Sequence, residues 1–207
     1  MKFDELEGLP FLYLYAGDLP DKPQYRSTPA IGLSLTQDND RHVQHDVSTI
    51  HRVRSNSVDQ YQAEDVLEHI AFSVIPDVLV DIYRMLKKGG LFRLSLPDYR
   101  CDCLYTRALY DYRGNIVFDP GGGGEYTSAG QVTGRGHVWF PTYEMVKNLL
   151  APVPFSSIEF LHWYDESGEP HCKSIDYSKG FIQRTPDHDP RVRSPYRPMS
   201  LVVDCTK

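Results

Sequence analysis

The residues best suited to chemistry in this chain are histidines and acids that stand beside glycines and at strand ends. His137 follows the glycine-rich run 119–136, and imidazole changes charge near neutral pH, so His137 is a candidate general base. Asp98 closes the segment LFRLSLPD; it either binds an acceptor hydroxyl or forms an ordinary Pro-Asp turn. Glu64 and Asp65 are neighbouring acids that either face a ligand or sit in solvent. Gly17 and Asp18 interrupt an apolar run just after Tyr15, as a ligand-approaching turn or a plain one. DHDPR, at 187–191, either clamps a polar substrate or is a solvated loop. The spacings of His42, His45, His51 and His69 match no common metal site. Cys101 and Cys103 lack the knuckle spacing of structural zinc, so no metal is expected.

These residues need elements to position them. Residues 11–15 (FLYLY) and 30–35 (AIGLSL) read as strands, and 43–46 as a short third one. Residues 58–63 read as a strand that is unusually polar for the middle of a parallel sheet, with Asp59, Gln60 and Gln62. A helix is predicted over 76–88, with Val78, Leu79, Ile82, Met85 and Leu86 on one face. Pro76 suits its start, Lys87 and Lys88 suit its carboxyl end, and Gly89-Gly90 supplies a left-handed stop. Residues 91–96 follow as a strand, and 102–112 read as helical. The glycine-rich run 119–136 reads as a long loop, and 141–151 as a helix with Thr142 at its cap. Residues 157–164 and 199–205 read as strands, separated by a polar, proline-rich excursion over 180–198. Strands interleaved with helices imply an α/β layered sheet.

Composition narrows the possibilities. The chain has 207 residues, 41% hydrophobic and 24% charged, which is ordinary globular composition. A net charge of −6 argues against binding a phosphate backbone, so no nucleic-acid partner is expected. The opening MKFDELEGLP has no apolar core of a leader, and no run approaches the roughly 20 apolar residues needed to cross a bilayer. No membrane partner is therefore expected, and four cysteines in a chain able to build its own core imply reduced thiols and a cytoplasmic setting. Oligomeric state is not encoded legibly.

One stretch is more specific. SVDQYQAEDVLEHI followed by IPDVLVDIYRMLKKGGLFRLSLPD, within residues 57–98, resembles the class I S-adenosylmethionine-dependent methyltransferases around their fourth and fifth strands. The features are a Val-Asp opening, Leu-Glu-His at the strand's carboxyl end, Arg-x-Leu-Lys-x-Gly-Gly, and a strand ending in Pro-Asp. LYLYAGD at 12–18, QHDV at 44–47 and GHVWF at 136–140 extend the likeness more weakly. The tail, with Gly180, DHDPR and 200–204, is similar to small predicted methyltransferases of the type 11 kind, often associated with sugar modification.

The resemblance implies a Rossmann-like methyltransferase fold: a mostly parallel seven-stranded sheet, last strand antiparallel, first half shortened. It implies one domain over 1–207 with a lid-like insertion at about 99–136, and S-adenosylmethionine as cofactor. Tyr15, Gly17 and Asp18 would form the cofactor turn, Asp46 would approach the adenine, and Glu64 or Asp65 would face the methionine moiety or the acceptor. Glu68 and His69 would lie behind the site. Two departures stand out: only Gly17 remains of a turn normally rich in glycine, and Ser34, near Thr36, stands where the family has a ribose-binding acid. A neutral hydroxyl makes a hydrogen bond roughly half as strong as a charge-assisted one. Two functions are therefore expected: O-methylation of a small-molecule or glycan acceptor, or a methyltransferase-like domain without activity that serves in binding or structure.

Overall fold

The computed structural model describes residues 3–6 and 8–207; residues 1, 2 and 7 of the acidic opening segment lie outside the described residues. A single turn, α1 (Phe3–Leu6), precedes β1 (Tyr13–Ala16). Then come α2 (Pro23–Arg26), β2 (Ile31–Ser34), β3 (His42–Gln44) and β4 (Val58–Glu64). The long helix α3 (Ile75–Met85) leads into β5 (Leu86–Pro97). Short pieces follow: α4 (Asp102–Tyr105), a hairpin of β6 (Leu109–Tyr110) and β7 (Ile116–Phe118), and a second hairpin of β8 (Glu125–Tyr126) and β9 (Val132–Thr133). Helix α5 (Tyr143–Leu150), β10 (Ser157–Tyr164), β11 (Pro170–Cys172) and β12 (Ser200–Thr206) complete the chain. Among the described residues no helix is long and apolar enough to cross a membrane.

The main sheet has eight strands in the order β11-β10-β12-β5-β4-β1-β2-β3. Strands β1 to β5 are parallel, β12 runs antiparallel to β5, and β10 and β11 add further antiparallel pairs. The order reverses between β1 and β4, and in open sheets of this kind ligands bind at the carboxyl ends beside that reversal. The expected seven strands are joined by an eighth, β11, an edge strand of three residues that carries no periodicity to betray it.

The two faces of the sheet are built differently. On one, Leu14, Tyr61, Ala63, Phe92, Leu94, Leu96, Leu201 and Val203 pack into the main core with α3 and α5. Helix α3 buries Ile75, Val78, Leu79, Ile82 and Met85 there; side chains of this size contribute about 1.5–3 kcal/mol each on burial. Because side chains alternate along a strand, the intervening residues, among them Tyr13, Tyr15, Gln60, Gln62, Glu64 and Arg93, turn to the opposite face.

Among the described residues no long helix covers that opposite face over β1 and β4; the single turn α2 reaches it through Tyr25, which packs on Tyr13 and Tyr15. The irregular segment 173–199 is laid across it as a strap. Irregular backbone laid on a sheet must find partners for its polar groups. Here the sheet supplies them: Gln60 Nε2 donates to Lys179 O at 2.8 Å, and Gln62 Nε2 to Phe181 O at 2.8 Å. Arg93 Nη1 donates to Asp176 O and Gly180 O, and Glu64 Oε1 accepts from Gln183 N at 2.8 Å. The polarity of β4, odd for a central strand, is thus the polarity that a covering of mostly irregular backbone requires.

Several elements differ from their sequence expectations. Helix α3 ends at Met85 rather than 88, because Leu86 already pairs with Val58. Lys87 therefore pairs with Asp59 at 2.7 Å across the strands instead of serving the helix end, and Gly89-Gly90 form an irregularity inside β5. The helix expected over 102–112 is one turn, since Leu109 and Tyr110 pair with Ile116–Phe118. Thr142 occupies the N-cap position of α5 without a side-chain cap bond.

Candidate active site

Beside the β1/β4 reversal lies a cavity of about 270 Å³, floored by Gly17 and Leu33 and walled by Leu35, Val47, Val66 and Ile70. Its polar edges come from His45, Asp65 and His69, and Gly134 and Arg135 of the glycine-rich loop close it from outside. Gly17 sits at φ +83°, a region that favours glycine, and its N–H donates to Leu33 O at 2.9 Å. A Cβ there would stand 3.3 Å from Val66 Cγ2, so the missing side chain leaves the floor open.

Asp65 directly follows β4 at φ +55°, a strained conformation for a residue that is not glycine. Its Oδ2 meets Arg184 Nε of the strap at 3.1 Å, and its buried Oδ1 has no hydrogen-bond partner. His45 Nε2 is likewise buried without a partner, and burial together with nearby His51 lowers its pKa to about 4. Arg184 also belongs to a second, larger and more polar cavity of about 600 Å³, along with Lys22, Gln183, His188 and Arg191. The Asp65–Arg184 pair therefore links an apolar cavity to a basic groove. That groove contains His188 to Arg191 of the DHDPR segment.

The other residues singled out in the sequence are placed as follows. Asp18 and Asp46 are exposed and do not line the cavity, and Asp46 Oδ1 accepts from the backbone and hydroxyl of Ser48. Ser34 is fully buried, and its Oγ accepts from Thr36 N at 3.1 Å and Gln37 N at 2.8 Å. Tyr15 and Glu64 lie on the strap side of the sheet. Glu64 Oε2 accepts from the hydroxyls of Tyr15 and Tyr25, at 3.2 and 2.5 Å. Burial and the neighbouring Asp65 push Glu64 up to about 7. Asp98 is fully buried at a corner, accepting from Arg100 N and Tyr164 N, and burial pushes it up to about 6.

His137 stands behind the cavity wall, edge-on to His69 with ring centroids 4.7 Å apart. Burial, then the neighbouring His69, lowers its pKa to about 4. Its position follows from zipping of two loops: Val138 N donates to Glu68 O, and Trp139 Nε1 to Leu67 O. His137 Nδ1 contacts Tyr99 Oη at 2.5 Å, Tyr99 donates to Asp119 at 2.6 Å, and Arg107 grips Asp119 with two nitrogens. Tyr99, Arg107 and Asp119 carried no signal in the sequence, since nothing local marks residues so far apart as partners. Only the adjacency of Tyr99 to Asp98, and of Asp119 to the glycine run, marked the neighbourhood.

No protein-family profile matches the chain, and no curated protein does either. Solved structures do. An S-adenosylmethionine-dependent methyltransferase from Mesorhizobium loti is 13% identical with a TM-score of 0.53, over 97% of this chain and 93% of that one. Another from Methanosarcina mazei is 10% identical with a TM-score of 0.53, over 94% of this chain and 91% of that one. The 1,6-didemethyltoxoflavin-N1-methyltransferase of Burkholderia thailandensis is 12% identical with a TM-score of 0.50, over 95% and 71%. Sheet order, the antiparallel last strands and these superpositions agree: the chain has the fold of the class I S-adenosylmethionine-dependent methyltransferases.

Proposed function

We propose that this protein transfers a methyl group from S-adenosylmethionine to a hydroxyl of a small, polar, sugar-like acceptor. The observation that carries the reading is the Asp65–Arg184 pair, which joins an apolar cavity at the sheet reversal to a basic groove. The first cavity suits the cofactor. Leu33, Leu35, Val47 and Ile70 offer apolar walls for a flat base, and the unpartnered Oδ1 of Asp65 offers a carboxylate for a cation. S-adenosylmethionine supplies a methyl group on a sulfonium sulfur, open to in-line displacement.

The chain's own residues do the rest. Gly17 lets the backbone approach closely, and the exposed Asp18 and Asp46 follow β1 and β3, the strands on either side of β2. Lys22, Arg184 and Arg191 hold a polar or anionic acceptor. Gly134 and Arg135, from a lid-like insertion in a single domain, exclude water. The acceptor's hydroxyl lies against the histidine wall, where His69 faces the cavity and His137, the base expected from the sequence, stands buried behind it. Ser34, Tyr15, Glu64 and Asp98 act by shaping this frame. A small acceptor goes with the fold: the Burkholderia thailandensis structure holds 1,6-didemethyltoxoflavin together with S-adenosylhomocysteine. A cytoplasmic setting fits the four free cysteines.

A second reading, a methyltransferase-like domain without activity, is favoured by one observation. The Ser34 hydroxyl, at the ribose position, is already engaged by two backbone N–H groups. Titration calorimetry with S-adenosylhomocysteine separates the two. Binding is the expected result, and no heat at millimolar ligand overturns the enzyme reading.

A further inference from the structure

Glu68, His69 and His137 each offer one ligand atom, and these atoms lie within 4.8 Å of one another. Glu68 is 0% exposed, yet neither carboxylate oxygen has a hydrogen-bond partner. Nδ1 of His69 is buried without a partner as well. Orphaned buried polar atoms are rare in folded proteins, and three in one cluster point to something that binds them.

The hydrogen-bond chain behind His137 settles which of its nitrogens is free. Arg107 Nε and Nη2 lie 2.8 and 2.7 Å from the two oxygens of Asp119, so Asp119 is an ionised acceptor. The single proton of the Tyr99 hydroxyl therefore goes to Asp119, and the Tyr99 oxygen accepts Nδ1–H of His137. Nε2 of the neutral ring keeps its lone pair, 3.7 Å from Glu68 Oε1. Two electron-pair donors face each other across a gap too wide for a hydrogen bond.

We infer that Glu68, His69 and His137 bind one divalent transition-metal ion of the zinc type. Two imidazoles and one carboxylate suit zinc and its neighbours, whereas magnesium and calcium prefer all-oxygen sets. Metal–ligand bonds of about 2.1 Å at tetrahedral angles place donors about 3.4 Å apart, close to the gap between Glu68 and His137. The Tyr99–Asp119–Arg107 chain is the outer support that metal-bound histidines use to fix tautomer and orientation. Gly122 backs the ring, since a Cβ there would stand 2.7 Å from His137 Cγ. Three protein ligands leave a position for water or a substrate oxygen, and His69 is both ligand and cavity wall.

The inference does not rest on methyl transfer, so its test uses neither cofactor nor acceptor. Chelator-stripped protein is titrated with Zn²⁺ and, separately, with Co²⁺, read by calorimetry, elemental analysis and visible absorption. One equivalent is expected, with a visible Co²⁺ band and no thiolate charge-transfer band. Glu68→Gln and His137→Ala abolish the band, and Tyr99→Phe, which leaves all three ligands, weakens binding about 10–100-fold. Circular dichroism of each variant separates loss of a ligand from loss of the fold, and Tyr99→Phe remains informative if the others unfold. Cys101, Asp102 and Cys103 form another cluster that could hold an ion, so Cys101→Ser/Cys103→Ser is the control and retains binding. The inference is overturned by no uptake in the parent, by uptake lost in the cysteine variant, or by unchanged affinity in folded His137→Ala.

Discussion

Arg93 and Asp204 are paired in register across β5 and β12, with Nε and Nη2 of the arginine 2.8 and 2.7 Å from the two carboxylate oxygens. The same guanidinium spends its remaining nitrogen on Asp176 O and Gly180 O of the strap. One fully buried side chain thereby ties two strands and the covering segment together.

Replacing it is expected to be costly. Lysine keeps the charge but cannot make a bidentate pair and two carbonyl contacts at once. Arg93→Lys should lose about 3 kcal/mol or more, the scale seen when a buried pair is broken. Urea unfolding measures this, and a loss below about 1 kcal/mol would show that the strap is held elsewhere.

Gly180 tests the strap from the other side. Its φ is +112°, and a Cβ would press on Gln62 Oε1 and the Tyr13 hydroxyl. Gly180→Ala should destabilise by about 2–4 kcal/mol from backbone strain and overpacking combined. Limited proteolysis should then cut first within 173–199, whereas uniform cleavage would count against a locally held strap.

Glu64 predicts a pH signature. Its pKa of about 7 lies above its ordinary value of 4.5, with burial the main cause. A raised acid favours folding when protonated. The contribution is therefore full below the unfolded value and lost as pH rises through about 7, by up to roughly 3 kcal/mol. Glu64→Gln carries no such proton. The stability of the parent relative to this variant should fall between pH 5 and 8, and a flat difference would refute the assignment.

Gly17 tests the cofactor cavity. Valine at φ +83° is strained, and its added carbons enter the floor beside Val66. Gly17→Val should weaken S-adenosylhomocysteine binding at least about tenfold in calorimetry. An unchanged affinity in a folded variant would place the cofactor elsewhere.

How much of this was legible differs by region. The run 57–98 announced its strand, helix and strand because apolar periodicity and the glycine pair are local signals. The end of α3 was not legible: the Val58–Leu86 pairing that stops it joins residues far apart in sequence. Polar β4 looked out of place for the same reason, since its partners lie in 179–183. Gly17 and Asp65 were visible at strand ends and do reach the cavity. Glu64 was visible too, but the alternation that puts Ala63 in the core turns Glu64 to the strap. The Glu68–His137 cluster unites two loops 69 positions apart, a distance over which spacing rules say nothing.

The strap has a consequence for the order in which the molecule can assemble. In many α/β chains each crossover helix shields its strands soon after they are made. Here Gln60 and Gln62 wait for carbonyls 119 positions further along. During synthesis β1 and β4 leave the ribosome with that face covered by α2 alone, until segment 173–199 follows. Such long-range closure slows folding and prolongs exposure of unfinished strands. Strands β1 and β4 are completed by a segment more than 100 positions further along.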